Sequence, residues 1–157
     1  MSTLEAIGNA LATEVAMPDA GEMTVITLRV LVAAVLGGII GWEREHKGRA
    51  AGLKTHMLVS VGSALFVLAP LMADIDPDHV TRIMQGIVQG IGFLGAGAII
   101  KHNAHVEGLT TAAGIWMTAA IGMAAGMGQE VLAVMTTILA LIVFSLIPAL
   151  MRRPPQA

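Results

Sequence analysis

The chain has 157 residues, 55% of them hydrophobic and 13% charged, with a net charge of -2 and a mean hydropathy of +0.77. A soluble domain carries about 25% charged residues to keep its surface wet, so this composition excludes an ordinary soluble domain and points to a bilayer as solvent. The absence of cysteine removes disulfides, thiolate metal sites and cysteine nucleophiles.

Residues 1–22 contain no Lys or Arg and no long apolar run, which argues against a cleaved signal peptide. Leu4, Ile7, Leu11 and Val15 keep rough helical spacing, so residues 1–22 are expected on the extracytoplasmic side either as a short interfacial helix ended by Pro18 or as a frayed terminus. Five long charge-free windows follow, at 30–42, 55–73, 83–100, 108–129 and 131–151. A span needs about 20 apolar residues, and the first window reaches that length by starting near Met23 and taking in Arg29. In the first turns of a span, Arg29 can snorkel to the headgroups. The expected architecture is an all-α integral membrane domain over residues 23–151 with five transmembrane helices.

Charge placement orients it. The connection EREHKGRAAGLK, the third connection with Lys101, and the tail with Arg152 and Arg153 hold seven of the nine basic residues. Eight of the eleven acids fall on the opposite side. Basic residues are retained in the cytoplasm, so the N-terminus lies outside, the C-terminus inside, and residues 152–157 form a short basic cytoplasmic tail with no soluble domain attached. In a bacterium this is a multi-pass inner-membrane protein.

Residues 90–95, GIGFLG, spell the glycine fingerprint of a dinucleotide site. That site needs a preceding strand and an acid about 20 residues later, and both are missing here. Read as membrane helix, Gly86, Gly90, Gly92, Gly95 and Gly97 instead form a thin face for close packing, as do Gly37 with Gly41 and Gly122 with Gly126. Such faces also suit a homo-oligomer. The alternative for Gly92–Gly97 is a local break of the helix.

The blocks GGIIGWEREHKGRAAGLKTHMLVSVGSALF, DPDHVTRIMQGIVQGIGFLGAGAII and GLTTAAGIWMTAAIGMAAG, taken in order, resemble the MgtC/SapB family of bacterial inner-membrane proteins. The resemblance implies a link to growth under magnesium limitation and to survival in macrophages. It also implies a regulator acting on the F-type ATP synthase in place of a magnesium transporter. Longer virulence-associated members add a cytoplasmic C-terminal domain, Thr110 stands where the virulence factor has Asn, and Lys54 stands where Arg is usual. Within the matching blocks, Glu43, Arg44, Glu45, Arg49, Lys54, Thr55, His56, Arg82, Thr110, Thr111 and Trp116 are the candidates for a partner surface or cavity.

Lys47 and Arg49 read as a positive-inside anchor, whereas Glu43 and Glu45 contribute little to topology and call for a pairing role. Gly-Leu-x-Thr at 52–55 and again at 108–111 would open two returning helices, with Thr55 and Thr111 serving free amides of the first turn. The match suggests a weak parallel repeat of helices one and two with three and four. Asp74, Asp76 and Asp78 begin like a calcium loop, but His79 and Gln85 occupy positions that need Gly and Glu, so a solvated loop kinked by Pro77 is expected and the acids are metal candidates by spacing alone. No span carries a central acid for a hydrated magnesium ion, and no nucleophile, base and acid fall together. The sequence therefore points to no enzyme, no cofactor and no nucleic-acid partner. A small cation or solute transporter or channel is the alternative to a regulator.

Overall fold

A computed structural model describes residues 3–14, 17–102 and 105–147. The expected basic tail and the end of the fifth window lie outside those residues.

Helix starts follow local capping chemistry. The exposed α1 runs over Thr3–Glu14, and α2 over Ala20–His46. At the start of α2, the Glu22 amide donates to Asp19 Oδ1 at 2.8 Å and the Asp19 amide to Glu22 Oε2 at 3.2 Å, a reciprocal box that starts the helix three residues before Met23. Helices α3 and α4 occupy Leu53–Met72 and Pro77–Gly97. Asp76 caps α4 by accepting the Asp78 amide at 2.8 Å, and Pro77 fills the first helical position, where a missing N–H costs nothing. Of the expected solvated loop, Asp74 and Asp76 lie in the exposed connection and Asp78 in the first turn of α4, and among the described residues no group of three or more metal-ligating side chains forms. Helices α5, Leu109–Gly126, and α6, Glu130–Leu141, follow, and α6 passes into a π turn, Ile142–Leu146.

Among the described residues, α2, α3 and α5 are long and apolar enough to cross a membrane. The expected third span coincides with α4, which carries Asp78, Arg82, Gln85 and Gln89. The fifth coincides with the shorter apolar helix Glu130–Leu146. Helix α3 packs between α2 and α5, and α6 with its π turn covers α2 and α5 around Ala33, Leu36, Ile40, Ile121, Ala125 and Phe144.

Small residues set this packing. A β-carbon on Gly122 would overlap the Ser60 carbonyl oxygen, and one on Gly126 would lie 2.5 Å from that of Ala64, so α5 meets α3 backbone to backbone. Gly37 and Gly41 do the same between α2 and α3, their β-carbons reaching 2.7 Å from the His56 carbonyl and Leu53 Cα. Gly95 makes ordinary contact with Ala112. Gly86, Gly90, Gly92 and Gly97 meet nothing within 4 Å, so they join no helices of this chain. Gly86 and Gly90 line an apolar groove of about 550 Å³ between α3 and α4. The helix does not break at Gly92, since α4 continues unbroken to Gly97.

Arg29 finds protein partners at a helix end: its Nη1 donates to the Gly126 carbonyl at 3.2 Å and its Nε lies 4.0 Å from Glu130 Oε1, satisfying the end of α5. Other expectations need correction. Both returning helices do open at Leu after Gly, but Thr55 and Thr111 cap neither. As third helical residues they sit inside the first turn, and the α3 amide is taken by Glu45, whose Oε2 accepts from Leu53 at 2.7 Å. The connections also differ. The first is a turn, whereas the second is an antiparallel hairpin of β1, Ile100–His102, and β2, His105–Glu107, with Lys101 opposite Val106. Gly108 closes it at φ +86°, where a side chain would also strike the Ala98 carbonyl.

Candidate functional site

The end of the bundle where α2 gives way to α3 gathers the charged candidates. Glu43 and Lys47 are one helical turn apart, and their side chains meet at 2.6 Å. Lys47 Nζ also donates to the Phe144 carbonyl at 2.9 Å and to Ser145 Oγ at 3.1 Å, while Ser145 Oγ donates to Glu43 Oε1 at 2.9 Å. These bonds fasten the π turn to the end of α2. A π turn shifts carbonyls off the regular ladder, and Lys47 supplies a donor for one of them.

Beneath that latch lies Arg44, 2% exposed. Its Nη1 is 3.7 Å from Glu43 Oε2, and its guanidinium carbon sits 4.5 Å from the Phe144 ring centroid, a cation–π arrangement. Its Nε and Nη2 are buried without a hydrogen-bond partner among the described residues, as is Glu43 Oε2. His56, fully buried, donates from Nδ1 to the Gly52 carbonyl at 3.0 Å, leaving Nε2 unpartnered. Ser60 Oγ, one turn deeper, is likewise unpaired. A positive guanidinium backed by an aromatic face and hydroxyl- and imidazole-bearing residues is therefore the polar feature at this depth.

The same end contains a cleft of about 560 Å³, lined by Gly48, Arg49, Ala50, Ala98, Ile100, Glu107, Gly108 and Thr111. The first and third connections, 60 residues apart in sequence, meet there. Of the other candidates, Lys54 and Thr110 are exposed nearby, and Thr55 lines a second, more apolar cleft of about 450 Å³ with Phe93, Gly97 and Ile115. Trp116 is half-exposed between α4 and α5. Arg82, with Asp74, Asp76 and Asp78, belongs to the opposite end of α3 and α4 and joins none of this. Sequence reading missed Phe144 and Ser145. They are about 100 residues from Glu43 and sit in an apolar run, so no local pattern marks them.

The MgtC family model matches residues 30–153. The chain belongs to the MgtC family. This MgtC-family chain is 46% identical over 114 residues to protein MgtC of Salmonella typhimurium, covering 73% of the chain and 48% of that protein. It is 44% identical over 123 residues to YhiD of Escherichia coli K12, a protein named as a candidate magnesium transporter, covering 74% and 57%. Protein SrpB of Synechococcus elongatus is 39% identical over 138 residues, covering 80% and 76%. The chain thus spans about half the length of YhiD and MgtC. No solved structure matches it significantly.

Proposed function

We propose that this chain is a five-span protein of the bacterial inner membrane, N-terminus out and C-terminus in. In this reading it acts as a non-enzymatic regulator linked to magnesium limitation, working through other membrane proteins. The placement of basic residues supports the orientation, since Lys47, Arg49 and Lys101 lie in the two connections that meet in one cleft, with Arg44 and Lys54 on the helix ends that flank the first. Family membership and the magnesium-related name of YhiD support the physiological link.

The buried guanidinium of Arg44 carries the choice of regulator over transporter. A path for a divalent cation wants acceptors with free lone pairs. The charge nearest the interior is instead a cation; of the adjacent Glu43, one oxygen is held by Lys47 and Ser145 and the other faces the Arg44 guanidinium at 3.7 Å. The exposed outer face of α4, with its open glycines, suits a homo-oligomer or a second membrane protein. The F-type ATP synthase is the partner that the family resemblance offers. Copurification from native membranes after mild crosslinking tests this reading. Recovery of one membrane complex in fixed proportion is expected, and recovery of the chain alone under every magnesium regime would sink it.

A further inference from the structure

We propose that the cleft between the two connections binds a zwitterionic phosphate ligand, with the phosphate on Arg49 and the start of α5 and the ammonium on Glu107. Arg49 and Glu107 line the same cleft. Neither has an ion-pair partner among the described residues. Opposite charges that face one space without meeting leave room for a ligand carrying both complements. The Arg49 backbone is held in place, its amide donating to the Arg44 carbonyl at 3.0 Å.

The start of α5 supplies the rest of the phosphate site. Its cap is Gly108, which has no side chain, and the first backbone bond runs from the Ala112 amide to the Gly108 carbonyl at 2.8 Å. The amides of Leu109, Thr110 and Thr111 are therefore open, and such amides at the positive end of a helix favour an anion. Helix α3 differs, because Glu45 occupies its leading amide. A side chain in the same first turn adds a donor: Thr111 lines the cleft, the residue is 4% exposed, and its hydroxyl makes no hydrogen bond among the described residues while staying accessible from the cleft. A hydroxyl open to the cleft and not committed to the helix can donate to a phosphate oxygen. Glu107 on the same wall repels a plain anion and selects a ligand with an amine. The volume falls within the roughly 300–1,000 Å³ of small-ligand sites.

Phosphoethanolamine has this chemistry, either free or as the headgroup of phosphatidylethanolamine. Calorimetry of the detergent-purified full chain with phosphoethanolamine and with inorganic phosphate is the first arm. Arg49→Gln is expected to weaken phosphoethanolamine about tenfold and Thr111→Val several-fold. Glu107→Gln is expected to weaken phosphoethanolamine yet strengthen inorganic phosphate. The second arm measures amide exchange at 109–111 in nanodiscs of phosphatidylethanolamine or phosphatidylglycerol. Arg49-dependent protection in the former alone assigns the lipid headgroup, and protection needing added phosphoethanolamine assigns the free compound. The proposal is overturned if neither source binds or protects, if Arg49→Gln binds like the wild type, or if Glu107→Gln shifts both probes in the same direction.

Discussion

Replacing Gly122 with alanine should loosen the central helix contact. Its new β-carbon would lie 2.8 Å from both Ser60 Cα and the Ser60 carbonyl carbon, against 3.4 Å where ordinary contact begins. The helices must part by the difference, 0.6 Å, and by more at the overlapped carbonyl oxygen. The obstacle is backbone, which has no rotamer to change, so the cost belongs at the upper end of the ~1–3 kcal/mol seen for overpacking. Alanine regains about 1 kcal/mol of helix propensity, leaving a net loss of about 1–2 kcal/mol. Gly90→Ala is the control: nothing lies within 4 Å of its β-carbon, so the propensity gain stands alone. Reversible unfolding in detergent micelles, followed by the fluorescence of Trp42 and Trp116, reads both. If Gly122→Ala is as stable as Gly90→Ala, the backbone-to-backbone contact of α3 and α5 is wrong.

Three further outcomes follow from single contacts. Glu45→Ala removes the acceptor 2.7 Å from the Leu53 amide, and faster hydrogen exchange at residues 53–56 with a loss of about 1 kcal/mol is expected; unchanged exchange would remove Glu45 from the cap. Lys47→Met leaves the Phe144 carbonyl without its donor and Glu43 without its ammonium partner, at a cost of about 1–3 kcal/mol. Faster exchange should be confined to the π turn and the end of α2, and adding Glu43→Gln should recover part of the loss. Phe144→Leu keeps bulk but removes the ring over Arg44, for a loss of about 1–2 kcal/mol beyond any change of volume. A melting curve identical to wild type would deny the cation–π contact.

The long elements were legible because their signals are local. Apolar length marks α2, α3 and α5, and Gly-Leu marks the first residues of α3 and α5. Gly37, Gly41, Gly122 and Gly126 could be read as contact surfaces since small residues at one-turn spacing share a helix face. The same pattern in Gly86 and Gly90 faces open space, as spacing defines a face and not its occupant. The hairpin at 100–107 was invisible because two strands of three residues carry no periodicity. The partners of Arg29 were invisible for a related reason: Gly126 and Glu130 come from a helix end about 100 residues away. The latch of Glu43 and Lys47 on Ser145 was half legible, since the one-turn pair is in the sequence and the π turn that completes it is not.

Magnesium flux in liposomes containing the purified chain, followed with an enclosed magnesium-sensitive dye, tests the central claim most directly. With Arg44 buried as a positive charge at the polar end of the bundle, the account predicts flux no greater than in protein-free liposomes. Arg44→Gln should leave that baseline unchanged. Saturable, protein-dependent magnesium entry that Glu43→Gln abolishes would contradict the account and make the chain a transporter.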